Sequence, residues 1–452
     1  MSLLEAEAPE EAAGPAAEPL RRNRDFLLLW IGAGVSMLGL RAGTVAYPLL
    51  VVWQGGSPVD AGLVGFAAVL PQLLVQLPAG VAVDRWDRRR VMIACDLAGV
   101  LAMGAVAAMV LAGGLWLPLL MAAAFVEGSA ALMYRLAERA AVRNLVRPEQ
   151  LSAALGQNEA RGQAAGLLGG PAGSGLFTLG GWLPFGFTAL AHLVALGTLL
   201  FIREDLQEAR EAAPRRLRTE VAEGLGWVWE QRFMRAAVVL IAGSNLLFQV
   251  LSLALVLIVR EHGGSPATIG LIGMVAGIGG VAGALGGPWF MKRLPMSAIV
   301  CGTLTAWTLL VLPVAFTTNP VLLGALWAGM SFAGALVNVV AGVHQVRVTP
   351  DALQGRVTSV FALAGSGMNS AGALAGGFLL AAWGTGHTVV GVAAAMAVMA
   401  VCALLSPAIR TSGLVATAEE RAPEEQAPEE RVPEERVPEE QAPEERAPEG
   451  AA

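Results

Sequence analysis

Twelve apolar stretches follow one another along this chain, near residues 26–53, 58–83, 91–113, 115–137, 160–180, 183–202, 236–259, 267–290, 297–316, 320–343, 357–381 and 387–408. A bilayer's hydrocarbon core takes about 20 residues of helix to cross. A spanning segment must satisfy its own backbone hydrogen bonds, and these stretches lack the alternating polarity of barrel strands, so helices are the expected element. Charged residues make up 15% of the chain and apolar ones 55%, with a mean hydropathy of +0.60. A soluble domain averages about 25% charged residues. The sequence therefore predicts an all-α integral membrane protein with twelve transmembrane helices.

The charges sit in blocks, and the blocks orient the chain. Arg21, Arg22 and Arg24 precede the first stretch. Arg85 to Arg90 lie between the second and third, Arg139, Arg143 and Arg147 between the fourth and fifth, and a longer arginine-rich segment between the sixth and seventh. Lys292, Arg293, Arg347, Arg356 and Arg410 continue the series, while the alternate loops hold little that is basic apart from Arg260. Positive charge gathers on the cytoplasmic side, which predicts that both termini are cytoplasmic. Lys292 is the one lysine among 30 basic residues; with abundant Ala, Gly and Pro, this points to a high-GC bacterial genome, and so to a bacterial plasma membrane. The acidic, Pro/Ala-rich first twenty residues are the wrong chemistry for the n-region of a signal peptide.

The chain also repeats. Pro148-Glu-Gln-Leu151 and Pro350-Asp-Ala-Leu353, 202 residues apart, each follow a basic patch and lead into a Gly-rich span. Two six-helix bundles are predicted, over 21–202 and 236–410, flanking a cytoplasmic linker at 203–235. Within the linker Val221, Leu225, Val228 and Trp229 share a helical face, which suits either the inner leaflet or packing on the bundle. Residues 1–20 and 411–452 are predicted to be disordered tails. In the latter, Pro-Glu-Glu recurs every five residues, and Glu419 to Glu449 hold 13 glutamates against 4 arginines. The net charge of −6 thus belongs to this tail and says nothing about a substrate.

The loop Gly80-Val-Ala-Val-Asp84-Arg85-Trp-Asp87-Arg88-Arg89-Arg90 resembles the loop between the second and third helices of the major facilitator superfamily. Asn23-Arg-Asp-Phe26, Thr44-Val-Ala-Tyr-Pro48 and Pro148 to Gly170 are similar to its macrolide-efflux and enterobactin-exporter branch of drug:proton antiporters. The resemblance covers roughly residues 21–410. Asp84 can accept hydrogen bonds from Arg88 or Arg89, or face a helix N-terminus, and Gly80 allows a neighbouring helix to approach closely. The resemblance implies that the loop latches the two halves in the outward-facing state; a positive-inside loop without gating duty is the plainer alternative. Asp87 stands where the family usually has glycine. Gly166-x-x-x-Gly170-Pro171-x-x-Ser174-Gly175 resembles the antiporter helix motif, with Ser174 for a usual glycine, although small-residue helix packing reads the same way.

Charges within a span are costly, about 2.5–3.5 kcal/mol each at mid-span, and therefore candidates for function. Arg41 and Glu127 both fall near the midplane, in spans the resemblance places around a central cavity. A pair there that is made and broken would take up and release a proton; a fixed structural pair is the alternative. The family's usual span-four arginine is absent, with Ala124 in its place. Asp96 reads as a partner for the loop arginines, and secondarily as a second proton site. Asn245, Gln249 and Ser252 form a polar stripe, as do Trp327, Ser331 and Asn338, and Glu127 with Tyr134. Gln72 and Gln76 could contribute at the cavity rim.

Cys95, Cys301 and Cys402 read as small buried apolar residues without disulfides. His192, His262, His344 and His387 are scattered without ligand spacing and read as satisfied or loop histidines. No Walker loop, metal motif or catalytic triad is present, so the expectation is a transporter rather than an enzyme, with no metal, cofactor or nucleic-acid partner, and monomeric. The resemblance implies export of a small amphipathic molecule in exchange for protons, by alternating access. An importer or facilitator on the same fold, or a non-transporting scaffold or sensor, is the alternative.

Overall fold

A computed structural model gives the architecture; it describes residues 19–207 and 217–410, apart from the side chains of Leu77, Asp84, 217–221 and Ala352. The tails at 1–18 and 411–452, and the middle of the linker, lie outside the described residues. Every long element is a helix: α1 (Arg24–Trp53), α2 (Pro58–Leu74), α3 (Gln76–Arg85), α4 (Arg88–Leu111), α5 (Leu117–Leu145), α6 (Leu151–Leu179), α7 (Leu183–Phe201), α8 (Leu217–Glu230), α9 (Arg232–Glu261), α10 (Pro266–Met291), α11 (Met296–Val311), α12 (Pro320–Val348) and α13 (Gln354–Leu405). Among the described residues nine helices are long and apolar enough to cross a membrane. The expected second span is divided between α2 and α3 at Val75. The fifth, α6, carries Glu159 and Arg161 in its first half. The eleventh and twelfth join in α13, which turns at Gly384, where φ is 72°, a region open to glycine at little cost.

Caps set several of these boundaries. Asp87 is the N-cap of α4, its side chain accepting the Arg90 N–H at 2.7 Å, which removes one orphan donor at that end. This is the local role of the acid that replaces the family's glycine. Ser57 and Asp60 form a complete capping box on α2. One turn occurs twice: Gly55-Gly-Ser-Pro58 ends α1 and starts α2, and Gly263-Gly-Ser-Pro266 ends α9 and starts α10. In both, the first glycine has positive φ, and the second donates its N–H at 2.8 Å to a carbonyl five residues back, Val51 or Val259. The left-handed position explains the glycine.

α1 packs on α6 and α7, α4 on α5 and α7, and α2 on α5. α9 packs on α13, α10 on α12, and α11 on both α12 and α13. The two sets meet where α2 crosses α13 and α6 crosses α10. Both crossings are backbone-close: a Cβ on Gly62 would lie 2.8 Å from the Gly377 Cα, and one on Gly270 2.9 Å from the Pro171 Cα. Gly62 and Gly270 follow the arginine-poor loops. At that same end the Arg260 guanidinium lies 5.8 Å from the Trp53 ring centroid.

At the arginine-rich end, Asn23 caps α1 by accepting the Phe26 N–H and donates to the Leu145 carbonyl at 2.6 Å. Buried Asp25 accepts the backbone N–H groups of Arg203 and Glu204 at 2.9 and 2.8 Å. The Asn-Arg-Asp-Phe stretch thus ties the ends of α1, α5 and α7 together. Asp25→Ala is expected to lower stability by about 2 kcal/mol, because it strands two donors. Thermal unfolding of the detergent-solubilised protein checks it, and an unchanged midpoint would mean the tie carries no load.

The linker helix α8 docks on the bundle. Val228 is fully buried against Met234, Val357 and Val360, and Glu223 pairs with Arg356. Leu225 and Trp229 stay exposed, and the Val221 side chain lies outside the described residues. Cys95 and Cys301 are buried, but Cys402 is exposed, a correction that fits an outward-facing helix surface.

Candidate functional site

α1, α4, α5 and α7 converge on a buried cluster of ionisable groups. His192, ten residues into α7, lies with Nδ1 2.9 Å from Asp96 Oδ1 and Nε2 2.9 Å from Glu127 Oε1. Ser36 Oγ is 3.2 Å from Nδ1. Exposures are 4% for His192, 0% for Asp96 and 3% for Glu127. Asp96 Oδ2, Glu127 Oε2 and the Tyr134 hydroxyl are buried without a hydrogen-bond partner among the described residues. A neutral imidazole has one N–H and one lone pair. With carboxylate oxygens on both nitrogens, one contact would set a lone pair against a carboxylate. The geometry therefore calls for one more proton, on the ring or on an acid.

The cluster borders a cavity of about 200 Å³ that Arg41, Gln72, Arg135, Tyr134 and Glu138 also line. Glu138 is paired with Arg161 at 2.5 Å. Arg161 also donates to the Trp30 carbonyl at 3.0 Å and lies 5.9 Å from that ring's centroid.

The expected Arg41–Glu127 pair is not made, because His192 takes Glu127. Arg41 lies five residues beyond Ser36 on α1, about 140° round the helix, and packs along Gly169 of α6. Asp96 is likewise corrected as a partner of the loop arginines. It lies eight residues into α4 beyond Arg88, about 12 Å of helix, and bonds His192 instead. Glu138, Arg135 and Arg161 escaped the sequence reading, and His192, expected to be a satisfied or loop histidine, is instead the centre of the cluster. The partners of His192 lie 96 and 65 residues away, so no local spacing marks it. The available signal was an intramembrane histidine in the same chain as two intramembrane acids.

A second cavity, of about 530 Å³, lies between α9, α11 and α12. Of the predicted stripes, Asn245, Ser252, Trp327, Ser331 and Asn338 line it; Phe248, Thr303 and Trp307 join them. Gln249 instead packs on Gly372 of α13. Phe248 and Trp307 meet edge to face at 4.8 Å, and Trp307 Nε1 donates to the Met330 carbonyl at 2.9 Å. Asn245 and Ser252 bond carbonyls of their own helix, which satisfies them at little structural cost. The wall is mainly aromatic and aliphatic.

In the arginine loop, Arg88 donates to the carbonyls of Leu206 and Ala140, and Arg89 to those of Leu199, Leu200 and Ile202. The open carbonyls ending α7 suit cations. A Cβ on Gly80 would meet open space, so no helix approaches there in this conformation. The Asp84 side chain lies outside the described residues. In α6, Gly166, Gly170 and Gly175 likewise face open space, whereas Gly169 and Gly173 make the close approach to Arg41 and Ala42 of α1. The packing glycines thus lie three residues beyond the motif's Gly166 and Gly170, about 60° round the helix, and Pro171 with Ser174 faces Gly270 of α10.

Long apolar helices around polar, partly charged cavities define a membrane transporter. The sequence profile of the Major Facilitator Superfamily matches residues 29–373 and 246–442, and the chain belongs to that superfamily. It is 27% identical over 398 residues to the multidrug efflux pump Tap of Mycolicibacterium fortuitum, covering 85% of this chain and 96% of that one. It is 28% identical over 419 residues to the pump of the same name in Mycobacterium tuberculosis, covering 88% and 97%. Among solved structures, the nucleoside transporter NupG aligns with a TM-score of 0.70 at 13% identity, covering 84% of this chain and 98% of that one. A bacterial homologue of the lysosomal transporter Spinster, captured inward-facing and unoccupied, aligns at 0.64 and 16%, covering 87% and 98%.

Proposed function

We propose that this protein is a proton-coupled exporter of small amphipathic molecules in a bacterial plasma membrane. The observation that carries the coupling is the imidazole of His192 held between Asp96 and Glu127 beside a cavity. Such a cluster holds a proton while its geometry is intact, and releases it when helix movement parts ring from acid. Export and a drug-like substrate draw support from the relatives named multidrug efflux pumps. The aromatic cavity between α9, α11 and α12 suits the apolar body of such a substrate, with Asn245, Ser331 and Asn338 as orienting polar groups.

In this reading the chain crosses the membrane twelve times, α2 with α3 making one span and α13 two. Two six-helix units, 21–202 and 236–410, rock about the cavities to give alternating access. The repeated Gly-Gly-Ser-Pro turn, 208 residues apart, supports the two-unit reading. Both termini are cytoplasmic, and the tight crossings of Gly62 and Gly270 seal the opposite face, so the conformation is inward-facing.

Efflux of a macrolide or a fluorescent dye from drug-sensitive cells tests the reading. Wild-type efflux is expected to collapse with a protonophore, and Glu127→Gln to lower it at least tenfold. Undiminished efflux by the protonophore-treated wild type would refute proton coupling.

A further inference from the structure

The arginine loop supplies a feature that transport leaves unused. Arg88 and Arg89 are held by the carbonyls around the end of α7, and the Asp87 carboxylate caps α4. Arg85 and Arg90 are exposed, and their guanidinium groups have no hydrogen-bond or ion-pair partner among the described residues. Both stand at the mouth of a groove of about 740 Å³ on the outer side of α4 and α5, with Trp86 beside them, 60% exposed. Away from the mouth the groove is lined by small and apolar side chains, among them Ala94, Ala98, Phe125, Val126 and Met133. From Arg90 to Ala98 it runs about 12 Å along α4. Its floor includes Cys95 and Ala130, which also line the cavity beside His192.

We propose that this groove is a binding site for an anionic phospholipid of the arginine-side leaflet. The two free guanidiniums would take the phosphate of the headgroup, through paired N–H donors that match its oxygens. The indole would sit at headgroup level, and one acyl chain would lie along the apolar floor. The occupant follows from charge and shape together: the guanidiniums of Arg85 and Arg90 stand against the single lining carboxylate of Asp87, which favours an anionic headgroup, and Ser129, the polar side chain on the otherwise apolar floor, spends its hydroxyl on the Phe125 carbonyl. An occupant here backs directly onto the wall of the His192 cavity, so the site places a lipid one side chain away from the titratable cluster.

Native mass spectrometry of the purified full-length protein tests the site, with phosphatidylglycerol and phosphatidylcholine of matched chains added in turn. Each arginine at an anionic lipid surface contributes about a fivefold gain. Arg85→Gln/Arg90→Gln is therefore expected to lower phosphatidylglycerol retention roughly thirtyfold, to the level of phosphatidylcholine. Ala94→Trp, which fills the groove and leaves both arginines in place, is expected to reduce retention of both lipids. Thermal unfolding of each variant reports whether the bundle is intact. Equal retention of the two lipids by the wild type, or undiminished phosphatidylglycerol retention by a folded double-arginine variant, overturns the proposal.

Discussion

His192→Ala is expected to abolish protonophore-sensitive efflux and to lower the stability of the bundle by about 3 kcal/mol. The second effect follows from burial: the ring satisfies one oxygen each of Asp96 and Glu127, which are at most 3% exposed, and removing one partner of a buried charged cluster leaves the others uncompensated. A loss of flux alone would not separate coupling from folding, and a neutral variant does. Asp96→Asn/Glu127→Gln/His192→Gln keeps the hydrogen-bonding shapes and removes every titrating group. It is expected to recover thermal stability to within about 1 kcal/mol of wild type, since uncharged amides can satisfy one another, while efflux stays lost. If the stable neutral variant still pumps against a gradient and still responds to a protonophore, the cluster is structural and the proton travels elsewhere.

Gly62→Val should shift the protein away from the conformation described above. The valine Cβ would meet the Gly377 Cα and the Ala373 carbonyl oxygen, each at 2.8 Å. Those are backbone atoms, so relief requires α2 and α13 to part. In an alternating-access cycle that end must open in the other state, where the added methyls cost nothing. The substitution therefore penalises one state by roughly 1–3 kcal/mol, a population shift of about 5- to 150-fold. Single cysteines placed in the arginine-poor loops should label faster with an impermeant maleimide, and efflux should fall at least tenfold. Gly65→Val, one turn along α2 and 3.4 Å from the Ala373 Cβ, is the matched control with a smaller expected effect. Identical labelling for Gly62→Val and wild type would mean that this crossing does not gate.

Much of the architecture was legible because a membrane imposes one-dimensional rules. Apolar length marks a helix whatever it packs on, and the ends of α1, α7, α10 and α12 fall within a few residues of the predicted spans. Legibility failed where a local irregularity is hidden inside an apolar run. Pro78 was the available signal for the break at Val75, since it has no N–H to continue the helix, its ring crowds the Leu74 carbonyl, and it sits in the first turn of α3; the polar first half of α6 reads as loop until helices pack around it. The repeated Gly-Gly-Ser-Pro turn was present in the sequence as a stronger internal repeat than the Pro148 and Pro350 pair, and its left-handed glycines give it a physical reason.

The candidate site divides in the same way. Intramembrane Glu127 and the Trp327, Ser331 and Asn338 stripe could be picked out because a polar group in an apolar helix is costly, and because offsets of four and eleven keep a common helical face. The sequence by itself determined the helices, the sided arginines and the family, since these depend on composition and spacing along one chain. Only the tertiary structure decided who pairs with whom. It gave Glu127 to His192 rather than Arg41, and drew Asp96 away from the loop arginines. It also made Gly169 and Gly173, not Gly166 and Gly170, the close contacts. Partner choice depends on the rotation of each helix about its own axis, and packing against several neighbours at once fixes that rotation.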